Sequence, residues 1–273
     1  MRIMRHPGWL SAVALTIASF AVHAAPAPPS TPIVVELFTS EGCSDCPPAD
    51  TLLEKLVAAQ PVAGAEIIAL GEHVDYWDRL GWKDRFSSAS VTSRQQGYQT
   101  RFGTESIYTP QMVVDGRAEF VGSDANAARK AIEHAITVQH GVVTLDVVGP
   151  AVVRGGNTEG SAVHVKVSAN NLPPIPKGDR ADIVVLVTES GLRTEVKRGE
   201  NHGRTLSHAP VVRYLATIGH VPDDGSTTGS GEAAIPLASE WQSDRLSVVA
   251  FVQQSRGRAI LASASAHVKN AHP

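Results

Sequence analysis

Apolar positions in the first half of the chain switch between two spacings. Ile33 to Phe38 is a continuous β-branched and apolar run bounded by Pro32 and Thr39-Ser40, which predicts a buried strand. Leu52, Leu53, Leu56 and Val57 then recur at helical spacing, so a helix should open near Ser44 or Asp45 and end at Gln60-Pro61. Glu66 to Leu70 predicts a second strand. Val91, Gln95, Tyr98 and Phe102 mark a helix over residues 87–102, with Gly103 to close it. Met112 to Val114 and Ala118 to Val121 flank Asp115-Gly116, a strong hairpin signal. Ser123 is expected to cap a last helix whose apolar face is Ala125, Ala128, Ile132 and Ala135.

The texture changes at Gln139-His140-Gly141. Short β-branched runs follow: Val142 to Val148, Ala162 to Ser168, Ile183 to Thr188, Val211 to Leu215, Ala233 to Leu237, Leu246 to Val252 and Ala259 to Ala264. Gly, Pro and Asn clusters divide them, which predicts an antiparallel sandwich of roughly seven strands. The expected organisation is an α/β domain over residues 33–140 and an all-β, sandwich-like domain over 141–273.

Arg2, Arg5 and His6 precede an apolar run from Trp9 to Val22, too short to span a bilayer comfortably. Val22-His23-Ala24 offers a signal-peptidase site, so residues 1–24 read as a signal peptide and Ala25 to Pro32 as a flexible lead-in. Export is expected, periplasmic or secreted, where disulfides persist. No later stretch predicts membrane insertion. The formal charge is −3, and two positive charges fewer without Arg2 and Arg5, which points away from nucleic acid.

Candidate chemistry concentrates at Cys43 and Cys46, the chain's two cysteines, where the first strand hands over to the first helix. A helix N-terminus favours a thiolate, and C-x-x-C at a β–α junction is the layout of a redox site. Two other readings remain. A structural staple closing so short a loop removes only roughly 2 kcal/mol of unfolded-state entropy. Two thiolates could hold copper(I), but zinc wants four ligands. Glu36, inside the first strand, reads as an outward acid or a proton carrier beneath the cysteines. The aromatic, charged segment His73 to Phe86 reads as a cap, with His73 or Asp75 near the sulfurs. Gly199 to Pro210 is polar enough to be a hairpin tip, an inter-domain contact or a metal site at Glu200, His202 and His208.

The C-x-x-C, the element order and Thr109-Pro110 before a strand and hairpin together resemble the thioredoxin-like proteins. Val35 to Cys43, His73 to Phe86 and Tyr108 to Phe120 resemble, more narrowly, an exported proteobacterial thioredoxin-like family of unknown function, domain of unknown function 1223. The resemblance implies that Pro110 is cis and lies against the disulfide. It implies that an exposed Cys43 attacks, that Cys46 resolves, and that Thr109 offers backbone hydrogen bonds to an extended partner. Gly42, Ser44 and Asp45 depart from the thioredoxin pattern. Glu41 and Asp45 oppose ionisation of Cys43, which favours reduction or isomerisation of protein disulfides over strong oxidation. The expected function is therefore a thiol-disulfide oxidoreductase using no metal or organic cofactor. Its partners would be protein thiols or disulfides and a redox donor. The alternative is a copper(I)-binding or partner-binding module on the same scaffold.

Overall fold

The computed structural model describes residues 30–155 and 158–269. The signal peptide and residues 25–29 of the expected lead-in lie outside these residues, while Thr31 and Pro32, expected to be part of the lead-in, belong to β1. In the first half the order is β1 (Thr31–Thr39), α1 (Pro47–Ala59), β2 (Ala65–His73), α2 (Ala89–Phe102), β3 (Gln111–Val114), β4 (Ala118–Val121) and α3 (Ala125–Ala135). Pro47 and Pro48 start α1, where a missing N–H costs nothing, and Gln60 ends it in the left-handed conformation. Neither Ser44 nor Asp45 caps α1. Cys46 itself is the N-cap residue and has no side-chain cap bond. The Ser88 hydroxyl caps α2, and Gly103, at φ 68°, closes it. Asp124 rather than Ser123 caps α3, accepting from the N–H groups of Asn126 and Ala127, because its carboxylate reaches both.

The β3–β4 turn has positive φ at both Asp115 (50°) and Gly116 (63°), the mirror-image turn that suits hairpin twist. A side chain at Gly116 would put its Cβ 1.8 Å from the Arg258 carbonyl oxygen, so the turn docks on the far end of the chain.

The second half contributes β5 (Val142–Gly155), β6 (Thr158–Asn170), β7 (Ala181–Glu189), β8 (Arg193–Glu195), β9 (Thr205–Ser207), β10 (Val211–Val221), β11 (Gly229–Leu237), β12 (Leu246–Gln254) and β13 (Ile260–His267). These strands do not form a separate sandwich. β13, β12, β7 and β10 continue the first-half strands in one mixed eight-stranded sheet, ordered β13-β12-β7-β10-β2-β1-β3-β4. The seam is narrow. β10 meets β2 in parallel at Val211 and Gly71, and the Gly71 N–H donates to the Pro210 carbonyl at 2.7 Å. The antiparallel sheet β11-β6-β5 covers the second-half strands over a core that includes Val163, Val185, Val248 and Ile235. The sandwich packing is therefore present, but one of its layers is shared with the first half.

The large sheet also curls on itself. The Ser263 hydroxyl donates to the Pro32 carbonyl at 3.1 Å, and the Ile260 N–H donates to the Asp115 carbonyl at 2.9 Å. Inside the curl, Val34, Ile68 and Leu70 pack with Val184, Leu186, Val249 and Phe251. On the opposite face of β1, Ile33, Val35 and Leu37 pack against Ala49 and Leu53 of α1 and Ile132 of α3. Among the described residues no helix is long and apolar enough to cross a membrane.

Glu36 belongs to this interior rather than to the cysteines. One of its oxygens accepts from Arg94 Nε at 2.5 Å, and the other from the Tyr98 hydroxyl. Arg94 also lies 3.3 Å from Glu72 and donates to Gln253 at 2.9 Å. Burial, then the Glu36 charge, pushes the Glu72 carboxyl well above its usual range, and Arg94 only partly opposes this. The proton of the pair is thus favoured on Glu72, Glu36 takes the guanidinium, and both lie under α2.

Candidate functional site

The turn that ends β1 delivers the cysteines. The Cys43 N–H donates to the Ser40 carbonyl, and the Cys46 N–H to the Cys43 carbonyl. Cys43 and Cys46 are joined in a disulfide at the entrance of α1, with Cα atoms 5.4 Å apart. Cys43 is 1 % exposed and Cys46 is fully buried, so the expected open sulfur is not found. Ser44 and Asp45, between them, are the exposed residues of the motif.

Two segments cover the turn. The first is residues 73–86. Trp77 packs on Gly42, where an added Cβ would meet Trp77 Cβ at 3.3 Å, and its indole N–H donates to the Thr109 hydroxyl at 2.8 Å. Trp77 thereby ties the cysteine turn to the Thr109-Pro110 segment. The Thr109–Pro110 peptide bond is cis. Pro110 faces the first turn of α1 across Gly122, where an added Cβ would stand 3.0 Å from Pro110 Cβ and 3.1 Å from Ala49 Cβ.

Within the same segment His73 and Asp84 pair at 2.6 Å, and the shared Asp84 oxygen also accepts the Glu41 N–H at 2.8 Å. Burial alone would push Asp84 up. The His73 imidazolium and the hydrogen bonds outweigh it and hold the carboxyl below its usual value. Burial likewise disfavours charged His73, but the Asp84 charge and hydrogen bond win, and its pKa rises. His73 therefore lies one residue contact behind the cysteine turn. Asp75 is not at the site: it accepts from the Thr92 hydroxyl at 2.6 Å and pins the segment to α2.

The second cover is the β8–β9 hairpin. The amide of Asn201, a fully buried residue at its tip, donates to the carbonyls of Glu41 at 2.9 Å and Cys43 at 2.8 Å. Exposed Glu200 accepts the Ser44 N–H at 3.2 Å. At the hairpin root, His208 Nε2 lies 3.3 Å from a Glu41 oxygen, within ion-pair reach but poorly aligned for a hydrogen bond. The other Glu41 oxygen accepts from the Trp82 indole at 2.7 Å. Glu200, His202 and His208 are not gathered: the first two are exposed and the third is buried against Glu41. Among the described residues no group of three His, Cys, Asp or Glu side chains is arranged to hold a metal ion.

One ionisable group at the site was not singled out by sequence. Asp50 sits one helical turn after Cys46, its N–H donating to the Cys46 carbonyl at 3.1 Å. Its carboxylate accepts from the Thr39 hydroxyl at 3.1 Å. Burial raises its pKa from 3.8 to about 7, with His73 as the main opposing charge. The signal lay in the spacing: an acid four residues after Cys46 shares its helix face.

The fold and site define a mixed α/β protein with a covered C-x-x-C disulfide at a strand–helix junction. The chain belongs to the family described as protein of unknown function (DUF1223), whose model matches residues 34–253. It is similar in structure to protein AGR_C_4864 from Agrobacterium tumefaciens, at 25 % identity and TM-score 0.62, covering 90 % of this chain and 99 % of that one. It is also similar in fold to HBP35 of Porphyromonas gingivalis, at 13 % identity and TM-score 0.59, covering 91 % and 78 % of the two chains. No curated protein matches the chain.

Proposed function

We propose that the protein is an exported thiol-disulfide oxidoreductase working through Cys43 and Cys46, on a thioredoxin-like unit over residues 33–140. The observation that carries this reading is the placement of the cysteine pair at the entrance of α1 with a proton-holding carboxyl, Asp50, one turn behind it. The thioredoxin-like reading is supported by the sheet order β2-β1-β3-β4, with β1 and β2 parallel and β3 and β4 antiparallel to their neighbours. It is further supported by the cis Thr109–Pro110 bond facing α1.

In the reduced protein the Cys43 thiolate attacks a partner disulfide and forms a mixed disulfide. The first partner sulfur leaves with the electron pair and takes a proton. Cys46 passes its proton to Asp50 and attacks Cys43 Sγ. The Cys43–Cys46 bond forms and the second partner sulfur leaves. Two electrons have moved to the partner, and a dithiol reductant must return them. A pKa of about 7 suits Asp50 to take and return one proton near neutral pH.

Insulin reduction in the presence of a dithiol reductant tests the reading, together with capture of mixed disulfides by a Cys46→Ser variant in cells. Turnover equal to the reductant alone, with no trapped partner, would refute it. The burial of both sulfurs favours a second reading, a structural cross-link on a partner-binding module. That reading expects Cys43→Ser and Cys46→Ser to lower stability while leaving any partner binding intact. Export is tested by N-terminal sequencing, which should find Ala25.

A further inference from the structure

We propose that the β8–β9 hairpin is a gate over the disulfide and that Asn201 is its latch, so that the hairpin decides which reductants reach Cys43. The proposal rests on the redox reading only in supposing that the bond is there to react.

Four features of the hairpin support a part that opens on its own. It is a separate two-stranded sheet of three residues per strand, joined by ladder bonds to neither of the larger sheets. Such a ribbon is marginally stable by itself. Gly191, at φ 71°, lies before β8, and Pro210 lies after β9, where the chain enters β10. Gly199 and Gly203 at the tip also have positive φ. Most residues from Glu195 to Thr205 face solvent, with Val196 and Asn201 as the buried exceptions.

What holds the tip down is concentrated on the cysteine turn. Asn201 spends both hydrogens of its amide on the two carbonyls that flank Gly42, those of Glu41 and Cys43. Its own oxygen accepts from Arg204 at 3.0 Å, which fixes the rotamer from inside the hairpin. Glu200 adds the bond to the Ser44 N–H, and Gly199 packs on Trp82, an added Cβ there meeting Trp82 Cβ at 3.0 Å. The three hydrogen bonds to Glu41, Cys43 and Ser44 cross 156 to 160 residues of sequence and meet the disulfide turn itself. With the tip lifted, Cys43 loses a cover and gains an approach; with it closed, a cysteine that is 1 % exposed offers no line for an attacking atom.

The test is the rate at which the native protein's disulfide is reduced by tris(2-carboxyethyl)phosphine. That reaction consumes one water and yields the dithiol and the phosphine oxide. Trapping with a thiol reagent and following the mass shift gives the rate. Two neutral hydrogen bonds at their usual net worth correspond to roughly a tenfold to hundredfold change in an opening equilibrium. Asn201→Ala should therefore be reduced about that much faster than wild type, and Glu200→Ala, which removes the acceptor for the Ser44 N–H, several-fold faster. Low urea should leave the wild-type rate nearly unchanged, because lifting a hairpin exposes little surface.

Equal rates in wild type and Asn201→Ala would overturn the proposal. So would a wild-type rate that climbs with urea as steeply as global unfolding does. Glu200 lies on an exposed turn, so Glu200→Ala and the urea series carry the test if Asn201→Ala fails to fold. Faster reduction of Asn201→Ala without any insulin reduction would leave the gate standing and sink the redox function instead.

Discussion

Asp50→Asn offers the sharpest quantitative test of the site. In the folded protein burial raises the Asp50 carboxyl from 3.8 to about 7. The native state therefore holds this proton more tightly than the unfolded chain. The stability it contributes is fully present below about pH 4 and is lost as pH rises through about 7. A shift of about three units at roughly 1.4 kcal/mol each amounts to about 4 kcal/mol, an upper figure that local relaxation brings toward 2. Asparagine does not titrate and its amide oxygen can still accept from Thr39. Wild type and variant should thus lie within about 1 kcal/mol of each other at pH 4.5, and the variant should be about 2–4 kcal/mol more stable at pH 8.5. Urea unfolding of the disulfide-intact proteins at the two pH values measures the difference. His73 and Asp84 titrate in both proteins, so their effects largely cancel in the comparison. Stability curves that stay parallel across this range would refute the assignment of Asp50 as a buried proton holder. The same variant should flatten the pH dependence of insulin reduction near neutrality.

Other consequences follow from the buried charges and the shared sheet. Arg94→Met should cost about 3–5 kcal/mol, since it strands the Glu36 carboxylate, whereas Glu72→Gln should cost clearly less, because burial and the Glu36 charge already favour the protonated Glu72 carboxyl; urea midpoints decide. The His73–Asp84 pair stabilises most between about pH 4 and 6.5. Its Asp84 part is lost as pH falls through that carboxyl's depressed value, and its His73 part as pH rises through the raised imidazolium value. Asp84→Asn should remove this plateau from a stability-against-pH profile. A fragment covering residues 30–140 should lack a cooperative unfolding transition by circular dichroism, because it leaves Val34, Ile68 and Leu70 without the second-half side chains they pack on.

The first-half elements were legible because their signals are local. The run in β1, the helical spacing in α1 and α2 and the Asp115-Gly116 turn each depend on residues within a few positions. The cysteine pair was legible for the same reason. Pairing across the halves was not. The seam between β2 and β10 rests on one residue pair, and the β-branched runs after Gly141 read alike whether they form a sandwich of their own or extend an existing sheet. Glu36 was misread because an acid in an apolar strand gives no hint of a guanidinium 58 residues away. Asn201 was hidden in a polar loop, where its burial depends on contacts about 160 residues distant. Asp50 resembled an ordinary first-turn acid, favourable at a helix N-terminus, and only burial sets it apart.

The latch contact also fixes an order of events. Asn201 follows Cys43 by 158 residues, which synthesis at about 5–20 residues per second turns into roughly 10–30 s. Throughout that interval the two thiols exist and their cover does not. Oxidants, reductants and folding helpers all meet an open pair during the chain's youth and a shut one afterwards. On the gate proposal, a closed hairpin slows any later change in the oxidation state the pair has reached, so early exposure weighs more than late exposure.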